Sequence, residues 1–150
     1  MGMGYTLVCP KCGYSRNLFM GCGIMYYEVL REKTGEAKRG EHGPRLAQLF
    51  EEYPNGCIDA MNNLYYCPEC RAVACESSLD FYKPKNPERD AEDDWFGPDM
   101  SEYELVEAHA HLCPKCGRQM KEVMRLTESE PVECPECGGV MESGHRLMWD

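Results

Sequence analysis

The sequence has no apolar run approaching the roughly 18 residues that a membrane-spanning helix requires. Residues 1–8 contain neither the charged segment nor the apolar segment of a secretory signal peptide. Positive charge is also scarce, because 16 Lys and Arg stand against 26 Asp and Glu, for a formal net charge of -10. We therefore expect a cytoplasmic protein without membrane attachment. Direct nucleic-acid binding is disfavoured, since it depends on Lys and Arg that neutralise phosphates.

The patterns of common catalytic sites are missing as well. The chain has no phosphate-cradling glycine loop, no His-Glu-x-x-His motif and no Ser, His and Asp arrangement typical of a nucleophilic triad. The sequence therefore favours a protein that is not an enzyme.

Cysteine, by contrast, is abundant, with 11 residues of which eight lie in Cys-Pro-x-Cys pairs. An odd number of cysteines, mostly in close pairs, is more typical of metal ligation in a reducing compartment than of disulfides. Two cysteines separated by two residues can supply one edge of a zinc tetrahedron, and a second pair supplies the opposite edge. The sequence therefore predicts two Zn²⁺ ions in two four-cysteine sites. The four pairs, numbered here as knuckles 1 to 4, are Cys9 and Cys12, Cys67 and Cys70, Cys113 and Cys116, and Cys134 and Cys137.

The spacing of the knuckles suggests which of them share a metal. Knuckles 3 and 4 form the pattern Cys-x2-Cys-x17-Cys-x2-Cys, which lies within the usual spacing of zinc sites. Knuckle 1 must reach knuckle 2 across a longer insertion, but the entropy of loop closure grows only logarithmically with length. We therefore predict that knuckle 1 pairs with knuckle 2, and knuckle 3 with knuckle 4. The alternative is a cross-brace, in which knuckle 1 joins knuckle 3 and knuckle 2 joins knuckle 4.

The residues around each pair fit a tight turn. Proline after the first cysteine fixes the φ angle that starts the turn, and glycine after the second cysteine allows a positive φ. Gly13, Gly117 and Gly138 fill the glycine position, but knuckle 2 has Arg71 there. An arginine at positive φ is strained by about 1 kcal/mol. We therefore expect either a different turn at knuckle 2 or a guanidinium that helps to offset the charge of the thiolates.

The knuckles divide the chain into three regions and predict a small, metal-stabilised α+β fold. Residues 1–82 are expected to form a zinc ribbon with a helical insertion at about 24–53. Residues 108–150 are expected to form a second ribbon of short antiparallel strands, self-contained and dependent on its metal. The intervening residues 83–107 contain nine acidic and three basic residues, and Pro84, Pro87, Gly97 and Pro98 break regular structure there, which is typical of a linker.

Local patterns place elements within these regions. Residues 24–32 are expected to be helical and to end at Gly35, and Pro44 suits the first position of a second helix. We expect the amphipathic insertion to pack on the first ribbon, and the adjacent Trp95 and Phe96 to dock on one of the ribbons. Leu46, Leu49, Phe50 and Tyr53 fall on one apolar stripe of the second helix. Strands are expected at 6–8, 14–20, 57–66, 103–111 and 140–149, and residues 118–127 should leave knuckle 3 in extended form.

The segments Cys113-Pro-Lys-Cys-Gly and Cys134-Pro-Glu-Cys-Gly-Gly resemble the zinc-ribbon family, in which two knuckles top a small antiparallel sheet. The whole chain is similar to uncharacterised small bacterial zinc-ribbon proteins that end in a Met-Trp-Asp-like tail, a similarity that carries no function. Zinc ribbons occur in transcription factors, polymerase subunits and adaptors, so the resemblance alone does not select a function. Cys9-Pro-Lys-Cys-Gly-Tyr also resembles the first knuckle of rubredoxin, an iron electron carrier whose second knuckle ends in glycine. Iron is therefore an alternative metal at the first site.

Three cysteines lie outside the knuckles. Cys22, Cys57 and Cys75 could form a third metal site with His42. Free cysteines scattered in this way are more commonly small buried side chains.

Two histidines and a group of basic residues remain. His109 and His111 should project from one face of the strand before knuckle 3, where they could bind a metal or act as a base. Packing or surface roles are more common for such histidines. A cluster on the second ribbon could contact phosphates, although surrounding glutamates favour a solvated face of mixed charge; it contains Lys115, Arg118, Lys121 and Arg125.

Three functions stay open from the sequence. The first is a non-enzymatic protein–protein interaction or adaptor module with an unidentified protein partner. The second is a nucleic-acid- or transcription-associated zinc-ribbon protein, and the third is a rubredoxin-like iron redox carrier. The closed four-cysteine sites, the acidic composition and the inserted helices favour the first.

Overall fold

The structure is a computed structural model of the chain, and it describes residues 2–89, 98–124 and 131–149, apart from the side chain of Leu147. The described residues form two helices and short strands, which confirms the small α+β fold. No described helix is long and apolar enough to cross a membrane. The helices are α1 (Tyr26–Lys38) and α2 (Pro44–Glu52), and a 3₁₀ turn covers Met100–Glu102. The strands are β1 (Gly2–Val8), β2 (Ser15–Met20), β3 (Cys57–Ile58), β4 (Asn62–Tyr66), β5 (Val73–Ser77), β6 (Phe81–Pro84), β7 (Tyr103–Glu107), β8 (Lys121–Glu122) and β9 (Glu142–Trp149).

These elements belong to two compact units, each drawn from separate stretches of the chain. Unit 1 is formed from Met1–Gly23, Asn62–Glu76 and Ala110–Asp150, and unit 2 from Ile24–Met61 and Ser77–His109. Unit 2 therefore takes residues from all three of the regions that the sequence suggested. The expected boundaries near residues 82 and 108 do not coincide with the limits of either unit.

Unit 1 contains two three-stranded sheets, with the strand orders β2-β1-β9 and β5-β4-β8. Strand β1 pairs antiparallel with both of its neighbours, so that Leu7 lies opposite Arg16 on β2 and Ser143 on β9. Strand β8 pairs antiparallel with β4. The prediction of a self-contained ribbon at 108–150 was therefore wrong, because β8 and β9 join different sheets. The buried core of this unit includes Leu7, Leu18, Leu64, Tyr66, Val73, Val123, Val132 and Met141.

Unit 2 has its own core, formed by the two helices and the sheet β3-β6-β7. Pro44 opens α2 as expected, and the stripe of this helix buries Leu46, Leu49 and Phe50. The Phe50 ring packs edge-on against Phe81, with ring centroids 4.9 Å apart. The helices thus pack on strands of unit 2, where Ile58 and Phe81 are fully buried.

Three further expectations about elements were wrong. Helix α1 does not end at Gly35 but continues to Lys38 and buries Ala37, so packing outweighs the roughly 1 kcal/mol that glycine costs in a helix. The expected strand at 57–66 is two strands, β3 and β4, in separate units. The expected linker contains the end of β6 and all of β7, which pair with each other. Trp95 and Phe96 lie outside the described residues.

Candidate metal centres

All four knuckles fold into the same turn. In each one, the residue after the second cysteine donates its backbone N–H to the carbonyl oxygen of the first cysteine, at 2.7 to 2.9 Å. The first cysteine donates its own N–H to a carbonyl five residues later, at 2.7 to 2.9 Å. The residue after the second cysteine has a positive φ in every case. These angles are 78° at Gly13, 59° at Arg71, 70° at Gly117 and 74° at Gly138.

Arg71 therefore adopts the left-handed conformation that glycine adopts in the other three knuckles. Of the two alternatives expected at knuckle 2, the different turn is excluded, and the backbone strain is retained. Its guanidinium lies against Gly138 of knuckle 4, where it fills the space that a Cβ would take. Arg71 follows knuckle 2 in the chain, but its positive charge lies beside knuckle 4.

The eight knuckle cysteines come together as two groups of four. Within each group the four sulfur atoms lie within 4.8 Å of one another. Both groups lie in unit 1. Knuckle 1 pairs with knuckle 4, and knuckle 2 with knuckle 3, so the predicted pairing was wrong and the cross-brace is excluded as well. Site A contains Cys9, Cys12, Cys134 and Cys137, and site B contains Cys67, Cys70, Cys113 and Cys116.

Strand pairing explains this nested arrangement. Strand β1 leads into knuckle 1 and β9 leaves knuckle 4, and the two are hydrogen-bonded neighbours with Val8 opposite Glu142. Strand β4 leads into knuckle 2 and β8 follows knuckle 3, with Tyr66 opposite Lys121. Closing a loop of about 120 residues costs only roughly 0.7 kcal/mol more than closing one of about 54. The strand register therefore outweighs the sequence spacing.

The sulfur positions fit a tetrahedral metal ion. Zinc–sulfur bonds of about 2.3 Å imply sulfur–sulfur edges of roughly 3.8 Å. In site A, Cys9 and Cys137 are 3.5 Å apart and Cys12 and Cys134 are 3.7 Å apart. In site B, the sulfur atoms of Cys67 and Cys116, which belong to different knuckles, are 3.7 Å apart. The first cysteine of every knuckle is buried and the second is more accessible: Cys9, Cys67, Cys113 and Cys134 are buried, and Cys12, Cys70, Cys116 and Cys137 are not.

The protonation of site A also favours a cation. Burial is the largest influence on Cys9 and opposes its charge. Hydrogen bonds from the backbone of Cys12 and Lys11 and from the Cys137 thiol outweigh it, and lower the pKa of Cys9 to about 7. At Cys12 the backbone hydrogen bond of Tyr14 lowers the pKa, but burial and the neighbouring sulfurs raise it to about 12. Cys9 thus ionises readily as a thiolate, and Cys12 needs a cation to ionise beside it.

Site B repeats this division. Burial opposes the charge of Cys113, but hydrogen bonds led by the backbone of Cys116 and Lys115 lower its pKa to about 7. The hydrogen bond with the Cys116 sulfur and burial together raise the pKa of Cys70 to about 12. A bound divalent metal displaces the thiol protons and offsets the repulsion between neighbouring thiolates. Both donor sets therefore fit a metal bound by four thiolates.

The three other cysteines do not form a third site with His42. Within the described residues, only sites A and B gather three or more potential metal ligands. The Cys75 thiol donates to the Phe19 carbonyl at 3.3 Å, and burial raises its pKa. Cys57 is buried, and His42 lies 2.7 Å from Glu36. The common interpretation, that cysteines outside the knuckles pack as small side chains, describes Cys57, which is buried, and Cys75, which is partly buried.

The two histidines lie in different units. His111 belongs to unit 1, where its buried ring stacks on Tyr65 with centroids 3.7 Å apart and its Nδ1 lies 3.3 Å from Glu76. His109 belongs to unit 2 and donates its backbone N–H to Asp80 at 2.8 Å. They do not share one strand face, because β7 ends at Glu107.

The basic cluster is partly neutralised. The guanidinium of Arg118 pairs with Glu69 at 2.9 Å, which agrees with a solvated face of mixed charge. Arg125 lies outside the described residues.

One partly buried acid in unit 2, Asp59, is not indicated by any pattern in the sequence. Burial, with a smaller contribution from the negative charge of Asp80, raises the pKa of Asp59. The Asp59 carboxylate accepts from the backbone of Met61 at 2.8 Å and lies 3.4 Å from the Tyr26 hydroxyl. Pairing of β3 with β6 brings the two acids together across the chain, and no local pattern could have predicted it.

Comparison with protein-family models, with curated proteins and with solved structures found no match. The two clusters of four cysteines are compatible with sites of the zinc-ribbon kind. The function must therefore be argued from these sites and from the surfaces around them.

Proposed function

We propose that this chain is a zinc-binding protein in which two structural four-cysteine sites stabilise unit 1, and that it acts as a non-enzymatic protein–protein interaction module. The observation that carries the proposal is the convergence of eight cysteine sulfurs into two groups of four, each within 4.8 Å. Four thiolates complete the tetrahedral coordination of zinc, whereas a catalytic zinc keeps one position open. Both sites therefore fit a structural role.

The metal sites fasten strands that are distant in the sequence. Site A joins the knuckles next to β1 and β9, and site B joins those next to β4 and β8. The backbone N–H of Gly139 also donates to the Cys137 sulfur at 3.4 Å, a contact that stabilises negative thiolate charge. Structural zinc contributes on the order of 10–16 kcal/mol of apparent binding energy. That is comparable to the whole stability of a small domain, so we expect unit 1 to depend on both metals.

An interaction role is supported by apolar side chains exposed at the start of α1. Ile24 is 79% exposed, Met25 52% and Val29 36%, and Met25 and Val29 are separated by one helical turn. Exposed apolar groups close together on a surface often mark a protein–protein contact. We propose that these three side chains contact the partner, which remains to be identified.

Metal analysis and affinity capture test the two parts of the proposal separately. Metal analysis of protein from a native source should give two zinc ions per chain. A strong chelator should unfold unit 1, and the circular dichroism signal of the chain should lose the contribution of that unit. Intact circular dichroism after complete metal removal would exclude a structural role.

For the interaction, a partner captured by the wild type at low salt should be lost with Ile24→Ser, Met25→Ser and Val29→Ser combined. The matched control is Leu105→Ser, which changes another exposed apolar residue of unit 2, 53% exposed. Equal loss of the partner with both variants, or no partner at all, would contradict the proposed surface.

Iron at site A is the second candidate. Knuckle 1 resembles the first knuckle of rubredoxin, whose second knuckle ends in glycine. Knuckle 1 lies beside knuckle 4, which is followed by Gly138, and not beside knuckle 2 with its Arg71. Four-thiolate tetrahedral sites accept iron as well as zinc. A visible absorbance band in natively purified protein would favour a redox carrier, and a colourless protein with two zinc ions would exclude it.

A further inference from the structure

One face of α1 lines a cavity in unit 2. Tyr27, Arg31, Thr34 and Lys38 follow one another at intervals of three or four residues, so they form a stripe along the whole helix. The opposite wall includes Cys57, and the cavity has a volume of about 480 Å³. Ligand pockets of proteins typically have volumes of about 300–1,000 Å³.

The charge of this cavity is opposite to that of the chain. The chain carries a formal net charge of -10, but among the residues that the structure describes, the lining contains two cations, Arg31 and Lys38, and no carboxylate. A concave site lined by one sign of charge attracts ions of the other sign. The cavity is therefore suited to an anion.

Within the described ranges of the chain, the cations of α1 and of its C-terminal end fall into two groups: those outside the cavity form ion pairs, and those that line it do not. Lys33 pairs with Glu36 at 2.8 Å, and Arg39 pairs with Glu41 at 2.6 Å, and neither cation lines the cavity. In the part of the chain that the structure describes, no carboxylate forms an ion pair with Arg31 or Lys38. The Lys38 ammonium lies 5.2 Å from the centre of the Phe50 ring, which restricts its position. The cations that face the cavity are thus the ones left to bind a ligand.

We propose that this cavity binds a small organic dianion. Seven residues of helix separate the α-carbons of Arg31 and Lys38 by roughly 10 Å, so one anionic group would lie at each end. Thr34 lies between them along the helix, and the apolar residue Leu30 also lines the wall. A ligand with two carboxylates or phosphates joined by a mostly apolar chain matches this order of groups.

Calorimetric titration of the full-length, metal-loaded protein tests the site. The probe is azelate, a dicarboxylate long enough to reach both cations, and the comparison compounds are succinate and the uncharged diol of the same length as azelate. We expect azelate to bind more tightly than succinate by about tenfold, and the diol not to bind, because hydrogen bonds to charged groups supply most of the affinity. Backbone amide signals of Thr34 and Gly35 should shift on binding, and that of Gly117 in unit 1 should not.

Charge-removing variants locate the interaction. Arg31→Gln and Lys38→Gln should each weaken azelate binding by about tenfold or more. Lys33→Gln removes the same charge from the same helix outside the cavity, and should bind as the wild type does. The proposal fails if azelate does not bind at millimolar concentration, if the diol binds equally well, or if Arg31→Gln and Lys38→Gln both bind like Lys33→Gln. Because the metal sites lie in unit 1, metal content stays a separate measurement.

Discussion

Replacing Cys134 and Cys137 with serine should remove the metal from site A and leave site B loaded. These cysteines share site A with Cys9 and Cys12, whose sulfurs lie as close as 3.5 Å and 3.7 Å to theirs. If knuckle 3 instead shared its metal with knuckle 4, the same change would remove the metal from Cys113 and Cys116. The variant therefore separates nested pairing from pairing within each half.

The size of the expected effect follows from what site A fastens. Loss of one structural zinc removes on the order of 10–16 kcal/mol of apparent binding energy, against a typical domain stability of about 5–15 kcal/mol. The sheet β2-β1-β9 should be affected most, because site A joins the knuckles beside β1 and β9. Site B has a complete set of four ligands without either replaced residue.

Native alkylation with mass spectrometry, combined with metal analysis, reads out the result. The zinc content should fall from two ions to one, and Cys9 and Cys12 should become reactive. The cysteines of site B should stay protected. The matched variant, with Cys113 and Cys116 replaced, should expose Cys67 instead. Exposure of Cys113 in the first variant, with Cys9 still protected, would refute the nested pairing.

Cadmium substitution of the wild type gives an independent answer if a variant unfolds. Correlation of each ¹¹³Cd signal with cysteine β-protons should connect one metal to both Cys9 and Cys134. It should connect the other metal to Cys67 and Cys113. A metal shared by Cys9 and Cys67 would show the nested arrangement to be wrong.

Three more expectations concern backbone strain, helix composition and a buried charge. Arg71 has a φ of 59°, so Arg71→Gly should resist urea better than Arg71→Ala by about 1 kcal/mol, since only alanine keeps the strain; equal midpoints would contradict a left-handed backbone. Gly35→Ala should raise stability by about 0.5–1 kcal/mol because α1 continues through it. Gly56→Ala should lower stability by roughly 1–3 kcal/mol, because its Cβ would meet a buried phenylalanine ring; thermal melts with the reverse order would refute both. Burial and Asp80 raise the pKa of Asp59 above its ordinary 3.8, so Asp80→Asn should lower the carbon-13 NMR titration midpoint of Asp59. The fold disfavours this carboxylate, so its cost is absent below pH 3.8, grows as the pH rises from 3.8 to the raised pKa, and is constant above it; an unchanged midpoint in Asp80→Asn would contradict the assignment.

The apolar stripe of α2 was predictable because its signals are local. Pro44 fixes the start of the helix, and Leu46, Leu49 and Phe50 recur at helical spacing, so the buried face follows from periodicity alone. The end of α1 was not predictable, because glycine at position 35 reads as a helix stop. The burial of Ala37 and the packing of α1 against α2, which extend the helix, involve residues beyond that local window.

The sequence by itself determined the eight candidate ligands and the shape of their turns. Proline after the first cysteine fixes one φ angle, and the residue after the second cysteine adopts a positive φ. Both effects act over only five or six residues, so four similar turns form independently. Only the tertiary structure decided which turns meet. That choice depends on hydrogen bonds between strands as distant as β1 and β9. The difference in loop-closure cost, roughly 0.7 kcal/mol for the longer loop, is too small for spacing to decide against strand pairing.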